Sequence, residues 1–179
     1  MKRALIVIDV QESFRARPLW EEISNPQIAD PVNRLVRIAR ENGDLVVWVL
    51  HNEPGSNDVF DPALGHVRLL EELEEPLPGE LVLYKTSHNA FTTTNLQQRL
   101  TEAGVSELWV CGIRTEQCVE TTARLGSDLG YDVVFVADAT ATNPIGELSA
   151  EAIMERTQAV LRDRFARIAT VAELAPSAV

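Results

Sequence analysis

Six short apolar runs, nearly free of polar alternation, recur along this chain: 4–8 (ALIVI), 45–50 (LVVWVL), 81–84 (LVLY), 107–111 (ELWVC), 133–137 (VVFVA) and, more weakly, 167–171 (RIATV). A strand with one wet face alternates apolar and polar residues, whereas a strand covered on both faces has no reason to. Stretches of helical periodicity lie between the runs. Asp30-Pro31 reads as an N-cap with proline at the first helical position; Val32, Leu35, Val36 and Ala39 then form one apolar face, and Gly43 ends it. Leu96, Leu100 and Ala103, closed by Gly104, read as a second helix, and Thr115 to Leu129, stopped by Gly130, as a third. Ser149 caps a fourth, with Ile153, Thr157, Val160 and Leu161 facing inward. The segment 51–80 is rich in Pro, Gly, Asn and Asp and carries the acidic run Glu71 to Glu75. It reads as a long loop with a short helix near 66–74, able to wall a pocket. Strands alternating with helices require right-handed crossovers. The expectation is an α/β fold: one domain over residues 1–179, built as a doubly wound, mostly parallel sheet of six strands. Helices cover both faces, in a three-layer Rossmann-like αβα arrangement. A chain of 179 residues suits one such domain and is short for two.

Charge and cysteine usage narrow the function classes. A formal charge of −11 disfavours nucleic acid and anionic membranes as partners, since both demand a basic surface. The opening MKRALIVID mimics a signal peptide, but its apolar run stops at Asp9 and no small-residue cleavage site follows, so it reads as a first strand. No stretch approaches the length of a membrane span. A cytoplasmic location is expected, where thiols stay reduced. Cys111 and Cys118 are then two free thiols, one in a strand and one in a helical pattern.

In open parallel sheets, ligands bind beyond the carboxyl ends of the strands. The first run is followed there by Asp9, Gln11 and Phe14, the second by His51, Asn52 and Glu53, and the third by Lys85, Ser87, His88, Asn89 and Phe91. The fourth leads to Gly112, Ile113, Arg114 and Thr115, with Cys118 one turn into the helix, and the fifth to Asp138. A carboxylate, an amine and a thiol thus reach one rim from three strands. With Thr115 as N-cap, Cys118 lies in the first helical turn, where unpaired N–H groups and the helix dipole favour a thiolate. A nearby lysine favours it further, and an aspartate can take the thiol proton and return it to a leaving group. Singly, each residue has a plainer reading: Cys118 as a small core side chain, Asp9 as a loop cap, Lys85 as a surface charge.

The segments ALIVIDVQESF, GELVLYKTSHNAF, LWVCGIRTEQCVETTAR and GYDVVFVADATAT resemble the successive signatures of the isochorismatase-like cysteine hydrolases, over residues 4 to about 170. The resemblance implies a catalytic triad of Asp9, Lys85 and Cys118. It also implies a cis peptide at Ile113–Arg114 and an oxyanion hole made by the N–H groups of Arg114 and Cys118. Nicotinamidases of that family hold a metal with an Asp-x-His pair after the second strand and a later histidine. Here His51, Glu53 and His66 stand in that region without the pattern, and LHNEPGS resembles the metal-free branch. No metal and no cofactor are expected. His51 is expected in the substrate pocket, with Phe14, Asn89, Gln117 and Trp20 as further candidates. Arg114 is open to two roles, a substrate carboxylate or a salt bridge. In the fourth helix, MERTQAV departs from related sequences that carry His and Asn there. The implied activity is hydrolysis of a small amide, N-carbamoyl compound or related carbonyl through an acyl-thioester, with a homo-oligomeric assembly. Two alternatives stand beside it: hydrolysis of a vinyl ether, with the aspartate as acid and the cysteine dispensable, and a non-catalytic thiol sensor or scaffold.

Overall fold

The computed structural model describes residues 2–175. The six apolar runs become strands β1 (Lys2–Ile8), β2 (Leu45–His51), β3 (Leu81–Lys85), β4 (Val105–Ile113), β5 (Asp132–Ala141) and β6 (Arg167–Ala169). They form one sheet in the order β3-β2-β1-β4-β5-β6, and every neighbouring pair is parallel, so the expected "mostly parallel" sheet is parallel throughout. The helices are α1 (Glu12–Arg15), α2 (Ala29–Glu41), α3 (Leu96–Ala103), α4 (Glu120–Asp128), α5 (Ala150–Leu161) and α6 (Val171–Leu174). A 3-10 turn over Pro18–Glu22 follows α1.

Alternate residues of each strand feed two separate cores, which is why the runs show no polar alternation. Leu5 and Val7 join Val32, Leu35 and Val36 of α2 and Val171 of α6 on one face. Ala4, Ile6 and Ile8 join Leu96 and Leu100 of α3, Ala123 of α4 and Leu161 of α5 on the other. The result is the three-layer sandwich, with no helix among the described residues long and apolar enough to cross a membrane.

Three local expectations are corrected. Helix α2 begins at Ala29, so Asp30 lies in its first turn rather than capping it. Residues 66–74 form no helix, although Leu70 and Leu73 are buried at helical spacing. Their backbone pairs instead with the segment after β1: Glu12 N–H donates to Arg68 O at 2.9 Å and Leu70 N–H to Val10 O at 3.1 Å. Thr115 does not cap the third helix. It opens a π-turn over Thr115–Val119, closed by Val119 N–H to Arg114 O at 3.3 Å, and α4 starts only at Glu120. The Thr115 hydroxyl bonds Thr140 Oγ1 at 3.0 Å and is not available to the helix end. Ser149 caps α5 as expected, accepting from Ala152 N–H.

Candidate active site

Strand order reverses between β1 and β4, and a crevice opens there at the carboxyl ends of the strands. Gly112 makes the crossing possible. Its φ is +126°, and a Cβ at that position would stand 1.9 Å from the Ile8 carbonyl oxygen. Asp9, the first residue past β1, adopts a left-handed φ of +53°, and its N–H donates to Val49 O of β2. The Ile113–Arg114 peptide that leads from β4 into the π-turn is cis. Such π-turns often mark functional positions, and this one carries Cys118.

Asp9, Lys85 and Cys118 meet at the base of this crevice. Lys85 Nζ lies 2.8 Å from Asp9 Oδ2 and 3.5 Å from Cys118 Sγ, and it donates to Ser87 O at 3.1 Å. Asp9 and Lys85 have no solvent exposure and Cys118 has 7 %. Neither Asp9 oxygen has a well-directed hydrogen bond, so its contact with Lys85 is chiefly coulombic. Burial raises the Asp9 carboxyl above its ordinary value, and the Lys85 charge opposes this without reversing it. Burial also pushes the Cys118 thiol up, with the Asp9 charge adding to the effect and Lys85 working against it. Burial thus works against the thiolate that the helix end and the lysine were expected to favour, and the sulfur lies beside a carboxyl group that can receive its proton. Cys111 is fully buried in β4 and inert by the same burial.

Above these groups lies a cavity of about 130 Å³. Asp9, Cys118, Phe14, His51, Arg114 and Gln117 all line it, while Lys85 sits beneath its floor. Asn89 does not line it. Its side-chain oxygen accepts from the N–H groups of Phe91 and Thr92, so it closes its own turn. Trp20 borders a separate small cleft beyond Phe14 and Arg114. Arg114 makes a loose 3.5 Å contact with Glu116, and its Nε has no hydrogen-bond partner. Asp138 turns away from the rim and accepts from Val171 N–H at the start of α6. His51 and Glu53 face each other, Nε2 to Oε1 at 3.0 Å, and His66 lies outside the cavity lining.

Four lining residues were not among the pocket candidates: Arg17, Glu53, Phe60 and His88. His88 stood in the rim after β3 and could have been chosen over its neighbour Asn89. Arg17 and Phe60 come from irregular segments with no periodicity to place them. Arg17 packs its guanidinium 4.6 Å over the Phe60 ring and pairs with Asp58 at 2.6 Å. A wider cleft of about 550 Å³ lies at the opposite end of β4 and β5, around Tyr131, Arg164 and Arg167, and holds neither a thiol nor a buried carboxylate–amine pair.

The isochorismatase domain model matches residues 3–173. The chain belongs to the isochorismatase family. Relatives in it include named hydrolases, and this protein is a hydrolase of that family. An uncharacterised family member of Bacillus subtilis, YrdC, is 29% identical over 178 residues, covering 97% of this chain and 94% of the relative. Streptothricin hydrolase of Streptomyces noursei is 40% identical over 148 residues, covering 80% of this chain but only 56% of the relative. Among solved structures, an isochorismatase from Pseudomonas putida superposes with a TM-score of 0.87 at 34% identity, covering 96% of this chain and 89% of that one.

Proposed function

We propose that this hydrolase cleaves a small amide, N-carbamoyl compound or related carbonyl substrate through an acyl-thioester on Cys118. The observation that carries the reading is the Asp9–Lys85–Cys118 cluster, with Lys85 Nζ within 2.8 Å of the carboxylate and 3.5 Å of the sulfur at the base of a closed-in cavity. Relatives named streptothricin hydrolase, nicotinamidase and ureidoacrylate amidohydrolase support it.

In the proposed cycle, Cys118 attacks the carbonyl carbon as its proton passes to Asp9. Lys85 keeps the charge balanced throughout. The N–H groups of Arg114 and Cys118 hold the oxyanion. Collapse of the tetrahedral adduct breaks the C–N bond, and Asp9 hands the proton to the departing nitrogen. Water then attacks the thioester, giving its proton to Asp9; the acid leaves and the thiol is restored. A carboxyl raised by burial suits both halves, since it must gain and lose a proton near neutral pH.

The test is a panel of small amides and N-carbamoyl compounds with intact-mass spectrometry. Wild type is expected to turn over at least one and to show an acyl adduct on the peptide carrying Cys118. Cys118→Ala should lose activity by on the order of 1,000-fold while keeping its fold. Full activity in that variant would exclude covalent catalysis and turn the reading to vinyl ether hydrolysis.

A further inference from the structure

The triad's lysine is itself held by a second pair of groups that the reaction scheme does not use. His51, the last residue of β2, places Nδ1 3.2 Å from Lys85 Nζ. An ammonium only donates, so Nδ1 accepts and the ring's proton resides on Nε2. Nε2 points at Glu53 Oε1 at 3.0 Å, and that carboxylate fixes the same tautomer. The backbone of His51 is clamped as well. Gln11, fully buried, accepts from His51 N–H at 2.8 Å and donates to His51 O at 3.0 Å with one side-chain amide. Three segments thus converge on the orientation of one imidazole.

We infer that His51, locked by Glu53 in its Nε2–H form, is a positioning residue that aims the Lys85 ammonium between Asp9 and Cys118. Lys85 has more neighbours than protons: Asp9, Ser87 O, Cys118 and His51 surround it. Removing the imidazole takes away the restraint on that side of the ammonium and lets it settle toward Ser87 O, away from the sulfur. A second proton on the ring would place an N–H against an N–H at 3.2 Å, so protonated His51 expels Lys85 instead of holding it. The groups facing the ring are Lys85 and His88 from β3 and its following loop, Asp9 past β1, Cys118 before α4, Arg17 and Arg114 across the cavity, and Glu53 on its own segment. This inference rests on the triad reading above.

The probe is iodoacetamide. The rate of Cys118 carboxamidomethylation is followed by peptide mass spectrometry from pH 5 to 10, with the buried Cys111 as an internal monitor of unfolding. In His51→Ala the Cys118 rate at pH 7.5 should fall about tenfold, the equivalent of one unit in thiol pKa, with Cys111 unlabelled. His51→Asn, whose amide oxygen can take the place of Nδ1, should recover most of the rate. Lys85→Met reports on the underlying reading. If Lys85→Met is slow but His51→Ala keeps the wild-type rate and pH profile, the inference is overturned and the triad stands. If His51→Asn is as slow as His51→Ala, the acceptor role is overturned. If Lys85→Met alkylates like wild type, both readings fall together.

Discussion

Lys85 and Asp9 form an ion pair without any solvent exposure, and such a pair is costly to break and cheap to replace. Lys85→Met leaves Asp9 buried with no counter-charge, and stability should fall by about 3–5 kcal/mol in urea denaturation. Adding Asp9→Asn removes the stranded charge, so the double variant should regain most of that loss while staying inactive. The pH dependence fixes the sign. Burial holds the Asp9 carboxyl above its ordinary 3.8 in the folded state, and removing the lysine takes away the opposing influence. The folded single variant then binds a proton more tightly than the unfolded chain, so its stability falls as pH rises through the window above 3.8. The advantage of the double variant should grow as pH rises above 3.8 and close as pH drops toward that lower bound. An advantage that is constant with pH would mean that Asp9 ionises in the folded single variant as readily as in the unfolded chain, so that burial does not raise its carboxyl there.

At the scale of elements, the strands and most helices were legible because burial on both faces writes unbroken apolar runs and single-sided burial writes a 3.6-residue period. Val46 to Leu50 and Ala4 to Ile8 could hardly be anything else. What misled was periodicity produced by something other than a helix. Leu70 and Leu73 are three apart and buried, yet their segment is held by hydrogen bonds to residues after β1 that no local pattern announces. Thr115 looked like a cap, but its hydroxyl is taken by Thr140, 25 residues on in the neighbouring strand β5. The candidate site was legible where chemistry sits on a strand end, as at Asp9 and Lys85, or in the turn that directly follows one, as at Cys118. It was not where a loop folds over, as at Arg17 and Phe60. Gly112 joins the two cases, since its need is local in sequence but arises from the neighbouring strand. Gly112→Ala would drive a methyl group into the Ile8 carbonyl at 1.9 Å, with a φ of +126° that alanine resists. β1 and β4 would have to part at the crevice. A loss above about 4 kcal/mol, or failure to accumulate as soluble protein, is the expected outcome. A change below 1 kcal/mol by urea midpoint would show that the strands can separate there without cost.

Across the whole molecule, the proposed triad is assembled from elements of unequal security. Asp9 follows β1, and Cys118 follows β4, the two central strands of the sheet. Lys85 ends β3, a five-residue edge strand paired on one side only, with Val82 and Tyr84 turned to solvent. Edge strands with few buried contacts open at lower free energy than the strands inside them. Opening of β3 withdraws Lys85 from the other two groups while both cores remain packed, so the site should fail before the fold does. The two cysteines report the two events separately. Cys111 lies in central β4 with no exposure and becomes reactive only when the sheet comes apart. Cys118 feels Lys85 at 3.5 Å and changes reactivity as soon as the lysine leaves. In a urea titration, the Cys118 alkylation rate should depart from its native value well below the far-UV circular dichroism transition, whereas Cys111 labelling should follow that transition. Coincident changes at both cysteines would mean that β3 is as firmly bound as the centre of the sheet. Lys85 would then be part of the global folding unit, and activity would persist up to the transition itself.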